Sequence, residues 1–216
     1  NIGAPLCDAV FHESLRQPGA LVALEVSSFQ LETIDRFRPK AAIVLNVTPD
    51  HLDRYEGSME KYAAAKARIG ENMGAEDALI VNRDDPRCLA MAARSRARAW
   101  HFSLERACPP GAWLSDFELM AGEGKARRIG ELDSIGLRGM HNVSNILAAA
   151  AAATFLQLPI ESIRESARTA KAPRHRLQFI AEIGGVSYYN DSKATNIDAV
   201  LHALNSFSEP IVLLAG

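Results

Sequence analysis

Cysteine is scarce in this 216-residue sequence. Cys7, Cys88 and Cys108 are odd in number, far apart and without C-x-x-C spacing, so a disulfide framework is not expected. They read as free thiols in a reducing cytoplasm. There is no basic surplus either: 24 Lys and Arg stand against 26 Asp and Glu, a net charge of −2, which gives nothing to steer nucleic acid. No apolar run reaches the roughly 20 residues of a membrane span; Ala148–Leu158 is too short and too rich in alanine. The first residues, Asn1-Ile2-Gly3-Ala4-Pro5, lack the basic and apolar parts of a signal peptide. An initiator Met is missing too, so a fragment or a processed product is expected. A phosphate loop is also lacking. Gly122-Glu123-Gly124-Lys125 is followed by Ala126 where Ser or Thr is required, and Leu119 stands where the first glycine belongs. That stretch reads as a hairpin turn.

What remains is an ordinary globular composition, 48% apolar and 23% charged, long enough for one or two domains with a sizeable core. Short apolar runs alternate with helical patterns, the mark of βαβ units and a mainly parallel sheet. Ala20–Val26, Ala41–Val47, Ala78–Asn82 and Arg98–Phe102 read as strands, and Ser58–Asn72 and Pro86–Arg94 as helices. From Cys108 to Arg138, glycines and prolines punctuate short segments that resemble an antiparallel meander. Asn142–Leu156 and Ile160–Thr169 read as helices. A boundary is expected near Ala172-Pro173, dividing residues 1–171 from 172–216. Beyond it, Leu177–Ile183 and Val186–Asn190 flank Gly184-Gly185, a hairpin signal. A helix at Ile197–Leu204 and a strand at Ile211–Ala215 follow.

Several places could carry chemistry. Glu25 ends an apolar run, where open α/β sheets place ligands, and Ser27, Ser28 and Gln30 would add hydroxyl and amide groups. A solvent-exposed strand-end glutamate fits the local pattern equally well. Asp50 and His51 follow the next apolar run and could face a divalent cation, although a lone histidine is more often a surface residue. In the helix after Ser58, Met59, Tyr62, Ile69 and Met73 define an apolar face, and Lys66 falls on the same stripe. An ammonium there needs a reason: either its head snorkels past the helix edge, or it is paired or modified beside Glu25 and His51. Asn142 and Asn145 share one face at a helix start; their amides match a purine edge, while N-capping accounts for Asn142 as well. Pro173-Arg174-His175-Arg176 and Asn190-Asp191-Ser192-Lys193-Ala194-Thr195-Asn196 form a polar set between strand and helix, suited to anions and ribose hydroxyls.

Taken together, Glu25–Leu31, Asn46–Arg54, Tyr62–Ile69, His141–Asn145, Pro173–Arg176 and Asn190–Asn196 resemble the Mur ligases, in the order that family shows. Phe29-Gln30-Leu31 after the double serine, with Ser192-Lys193-Ala194 in place of a Tyr-Ala-His element, is similar to the members that add D-glutamate. The resemblance implies an α/β fold: a mainly parallel-sheet, ATP-binding central domain with a small antiparallel subregion, then the start of a Rossmann-like C-terminal domain. It implies a cytoplasmic monomer that uses ATP and Mg2+ to join D-glutamate to UDP-N-acetylmuramoyl-L-alanine, without nucleic acid or membrane. By the same resemblance Glu25 and His51 would hold magnesium, and Lys66 would be a carbamylated lysine supporting a second ion. Asn142 and Asn145 would contact adenine, and Arg176 and Asp191 the ribose and phosphates. Lys193 and Thr195 would meet the reacting groups, while Asn1, Ser27, Gln30 and His141 would seat the UDP-sugar peptide or order the site. The family's phosphate loop and UDP-binding domain would lie upstream of Asn1, so the 216 residues alone are expected not to turn over ATP. Two other readings stay open: another amide ligase of this architecture, such as a different Mur enzyme or a folylpolyglutamate synthetase, and a non-catalytic module retaining the fold.

Overall fold

The computed structural model describes residues 13–195 and 197–215; Asn1, Cys7 and Asn196 lie outside them. The chain divides into two compact units, one from Asn1–Arg38 with His51–Asn72, the other from Pro39–Asp50 with Met73–Gly216.

The second unit is built on a six-stranded sheet. Its strands are β1 (Ala41–Val44), β2 (Ala78–Asn82), β3 (Arg98–Ser103), β4 (Gly111–Ser115), β5 (Glu118–Gly122) and β6 (Arg127–Glu131), neighbours in that order. β1 to β4 run parallel, and β5 and β6 are added antiparallel as a meander. Ala78-Leu79-Ile80-Val81 is buried throughout, as a parallel strand covered on both faces must be. Successive side chains on a strand point to opposite faces. Ala78 and Ile80 accordingly join the main core with Trp100, Phe102, Ala112, Leu119 and Ile129. Leu79 and Val81 are equally buried outside that cluster, and α3 (Pro86–Arg94) packs against β2.

The lid on the main core is α4 (Met140–Phe155), whose Val143, Ile146, Leu147, Ala148, Ala150 and Ala151 are buried there. Ile163 and Ala167 of α5 (Ile160–Thr169) extend it. The small alanine side chains let the helix backbone approach the sheet closely. α3 starts where Asp85 caps it: one carboxylate oxygen accepts from the N–H groups of Arg87 (2.8 Å) and Cys88 (3.3 Å), with Pro86 in the first turn. The other oxygen accepts from the Val47 N–H at 2.9 Å, tying the end of the β1 segment to the start of α3. Gly111 is obligatory, because a Cβ there would run into the His101 carbonyl.

Farther along, β7 (Gln178–Ile183) and β8 (Val186–Asn190) form a hairpin through Gly184 (φ +60°) and Gly185 (φ +78°), the positive angles a tight two-residue turn demands. It is followed by α6 (Ile197–Leu204).

The first unit contains α1 (Ser28–Leu31), α2 (Met59–Ala67) and the turns between them. Its interior holds Leu31, Tyr55, Tyr62 and Ala65. Ser58 caps α2, accepting from the Lys61 N–H at 3.2 Å. The helix tightens into a 3-10 turn at Arg68–Gly70 rather than running on to Asn72. From that end Arg68 donates to the carbonyls of Glu32 and Ile34, and Asn72 donates to those of Asp35 and Phe37.

Two expected strands are not formed. Residues 20–26 and 211–215 belong to neither sheet, and Leu21, Val22, Val212 and Leu214 are exposed. Both runs have the right apolar pattern, but a strand exists only as a member of a ladder, and among the described residues neither has a ladder partner. No helix among the described residues is long and apolar enough to cross a membrane.

Candidate active site

In the first unit the chain leaves the extended segment carrying Glu25 and turns into α1 at Ser27. Ser27 and Gln30 close a capping box. The Ser27 hydroxyl accepts from the Gln30 N–H at 3.3 Å, and the Gln30 side-chain oxygen accepts from the Ser27 N–H at 2.9 Å. The structural role of this pair is therefore plain, and the amide nitrogen is the end of Gln30 that takes no part in the cap. Glu25 is exposed, two residues before the cap.

His51 stands at φ +50°, a region non-glycine residues seldom occupy. Its carbonyl accepts from the Arg54 N–H at 3.1 Å, which closes a turn and aims the imidazole at Phe29. The two rings meet edge to face at 5.1 Å. Beyond Phe29 the aromatic row continues through Tyr55 (6.5 Å) to Tyr62 (5.3 Å). Lys66 ends it, its Nζ 5.0 Å from the centre of the Tyr62 ring. The structure thus places Glu25, His51 and Lys66 in one unit, the last two at opposite ends of a single aromatic row.

One carboxylate crosses that row. Glu32 accepts two hydrogen bonds from Arg54 (3.1 and 2.7 Å) and a third from the Tyr55 hydroxyl (2.8 Å). These bonds, Arg54 first, hold its carboxyl at about 2. Burial pushes the Tyr55 phenol up. Neither Glu32, Arg54 nor Tyr55 was singled out by sequence reasoning, since residues 22 and 23 positions apart share no local periodicity.

Magnesium takes oxygen ligands and keeps several waters, with one or two carboxylates and phosphate oxygens completing its shell. Glu25 would offer one such carboxylate, while His51 would add an imidazole nitrogen rather than one of the preferred oxygens. Among the described residues no three His, Cys, Asp or Glu side chains converge as a ready-made cage, so substrate oxygens would have to complete it.

The second unit carries the remaining candidates. Asn142 donates from its side chain to the Arg138 carbonyl at 2.7 Å, which stitches the first turn of α4 to the preceding loop. Asn145 is exposed beside a cleft of about 400 Å³ between α4 and α5, lined mainly by Ile146, Ala149, Ala153, Leu158 and Ile163. His141 is half-buried, its Nδ1 3.5 Å from the Ser206 hydroxyl and its ring 5.9 Å from His202. Burial, then His202, push its imidazole below the ordinary value, with Asp191 opposing. His202 and Ser206 are a further omission of the sequence reading.

The two polar turns are brought together. Asp191 accepts from the Leu177 N–H at 2.9 Å, the Lys193 N–H donates to the His175 carbonyl at 3.1 Å, and Asn190 meets the His175 ring at 3.1 Å. Their backbones are thereby zipped, and the Arg176, Lys193 and Thr195 side chains are exposed.

The chain matches the model of the Mur ligase middle domain over residues 6–153. It is 45% identical over its whole length to the UDP-N-acetylmuramoylalanine–D-glutamate ligase of Pelotomaculum thermopropionicum, and 47% to that of Acidobacterium capsulatum. It covers 47% of each, so the chain spans about half the length of these curated relatives. Among solved structures, MurF from Acinetobacter baumannii superposes with a TM-score of 0.64 at 19% identity, over 76% of this chain and 36% of that one. MurC from Thermotoga maritima gives 0.60 at 20%, over 83% and 39%. These two speak to the fold. With a middle-domain match over more than half its length and close relatives along all of it, this chain belongs to the Mur ligase family.

Proposed function

We propose that this chain is the central part of an ATP-dependent ligase that joins D-glutamate to UDP-N-acetylmuramoyl-L-alanine in peptidoglycan precursor synthesis. The observation that carries the reading is the end-to-end match to two proteins named as that ligase. The terminal carboxylate of the UDP-sugar substrate takes the γ-phosphoryl group of ATP to give an acyl phosphate and ADP. The D-glutamate amine then attacks the acyl carbon, and phosphate leaves through a tetrahedral intermediate.

In this reading Glu25 and His51 would hold magnesium, which would supply charge neutralisation at the phosphoryl group. Lys66, carbamylated by CO2, offers an anion in place of an ammonium that two dications would repel. Asn142 and Asn145 face adenine; Arg176 and Asp191 hold the ribose and phosphates. Lys193 and Thr195 meet the reacting groups, and Asn1, Ser27, Gln30 and His141 order the UDP-sugar peptide. The protein works as a cytoplasmic monomer, without nucleic acid or membrane. Residues 1–171 form the central domain and 172–216 begin the C-terminal one.

The test is phosphate release by the full-length enzyme with UDP-N-acetylmuramoyl-L-alanine and a series of amino acids. Release with D-glutamate and not with L-glutamate, meso-diaminopimelate or a folate acceptor is expected. Preference for any of the others would reject the assignment.

A further inference from the structure

We propose that Glu32 is a positioning residue for both ends of the candidate magnesium site: through Arg54 and Tyr55 it fixes the aromatic row that seats His51 and Lys66. The inference rests on the reading above, in which His51 and Lys66 serve that site.

The geometry is continuous. The Arg54 guanidinium, held by two hydrogen bonds to Glu32, lies 4.7 Å over the Phe29 ring, which also meets the His51 imidazole edge to face at 5.1 Å. The Tyr55 hydroxyl, held by the same carboxylate, fixes a ring that touches both Phe29 and Tyr62, and Tyr62 carries Lys66. One carboxylate thus reaches His51 through Arg54 and Phe29, and Lys66 through Tyr55 and Tyr62. The backbone of Glu32 is anchored as well, its carbonyl accepting from Arg68 just beyond α2. An arginine released from such a pair recovers many rotamers, and the Tyr55 hydroxyl, without this acceptor, is left to its other neighbour, the Ser28 side chain.

Glutamine in place of Glu32 keeps the size but not the clamp. It accepts through one oxygen and turns an NH2 group toward the Arg54 cation. Aspartate keeps the charge but falls one methylene short. Residues that orient metal ligands typically change metal affinity or activity about 10–100-fold when altered.

The experiment compares wild type, Glu32→Gln, Glu32→Asp, Tyr55→Phe and Lys66→Ala in the full-length enzyme. It uses magnesium titrations of rate and the carbamate carbon resonance after equilibration with 13C-bicarbonate. Glu32→Gln is expected to raise the apparent KM for magnesium about 10-fold, with a smaller fall in kcat and a weaker carbamate signal per folded molecule. Glu32→Asp should recover part of both, and Tyr55→Phe should shift both in the same direction by less, which covers the case of a poorly folding Glu32→Gln. A magnesium KM and a carbamate signal both equal to wild type in Glu32→Gln and Tyr55→Phe, whatever their melting temperatures, would overturn the proposal. A wild type with no carbamate resonance abolished by Lys66→Ala would instead remove the lysine reading, and the magnesium titration would still decide on Glu32.

Discussion

The Nζ of Lys66 stands 5.0 Å from the centre of the Tyr62 ring, one helical turn upstream on α2. Tyr62 is only 4% exposed, so it is at once the floor under Lys66 and a core residue of its unit. Emptying that floor leaves a cavity, and truncating a buried aromatic to alanine costs about 3–5 kcal/mol. Tyr62→Ala is expected to lose about 3 kcal/mol in denaturant unfolding, whereas Tyr62→Phe, which keeps the ring, should lose about 1 kcal/mol. Equal losses would mean the ring itself is not what the unit packs around.

Glu32 gives acid stability a definite signature. Its carboxyl is held at about 2 against an ordinary 4.5, by Arg54 first and then Tyr55. A folded value below the unfolded one stabilises fully above about 4.5 and is lost as pH falls from there toward 2. Wild type should therefore lose stability more steeply than Glu32→Gln across that window in acid-unfolding curves. A difference between them that stays constant with pH would contradict the clamp.

Arg138 gathers the segment after β8. It donates to the Ser206 carbonyl at 3.2 Å and the Tyr189 hydroxyl at 3.1 Å, pairs with Glu209 at 2.7 Å, and lies 4.6 Å over Phe207. The ion pair is well exposed and worth less than about 1 kcal/mol. Arg138→Ala should accordingly shift global melting little, while amides around residues 201–209 exchange faster by hydrogen-exchange mass spectrometry. Unchanged exchange there would show that Phe207 and Tyr189 hold the segment unaided.

The described thiols should be inert in the native protein. Cys88 is wholly buried, and burial pushes the Cys108 thiol up to about 12, leaving almost no thiolate at neutral pH. Neither should react with a disulfide reagent at pH 8 until denaturant is added. Labelling of Cys108 in native buffer, located by peptide mapping, would mean that the β3–β4 corner opens.

Much of the fold was legible because its signals are local. The apolar run Ala78–Val81, Asp85 before Pro86, and Gly184-Gly185 between two strand-like runs each fix an element through neighbours in sequence. Residues 20–26 and 211–215 misled for a reason of the opposite kind: a strand needs a partner, and nothing within an apolar run reveals whether one is at hand. The site divides in the same way. Glu25, His51 and Lys66 stood out by position after a run or on a helix face. The groups that connect His51 to Lys66 did not, since Glu32 reaches Arg54 and Tyr55 only through the tertiary fold. Ser27, Gln30 and Asn142 were read for their polar groups, and the structure gives all three a capping or stitching role in addition.

In the proposed mechanism Lys66 acts as an anion within one magnesium-dependent site. The most direct measurement of this role is the rate of the full-length Lys66→Ala enzyme with and without added formate or acetate. A loss of about 100-fold, with part of the rate restored by the small acid and none by chloride, is the expected result. Wild-type turnover by Lys66→Ala in the absence of any acid would contradict it.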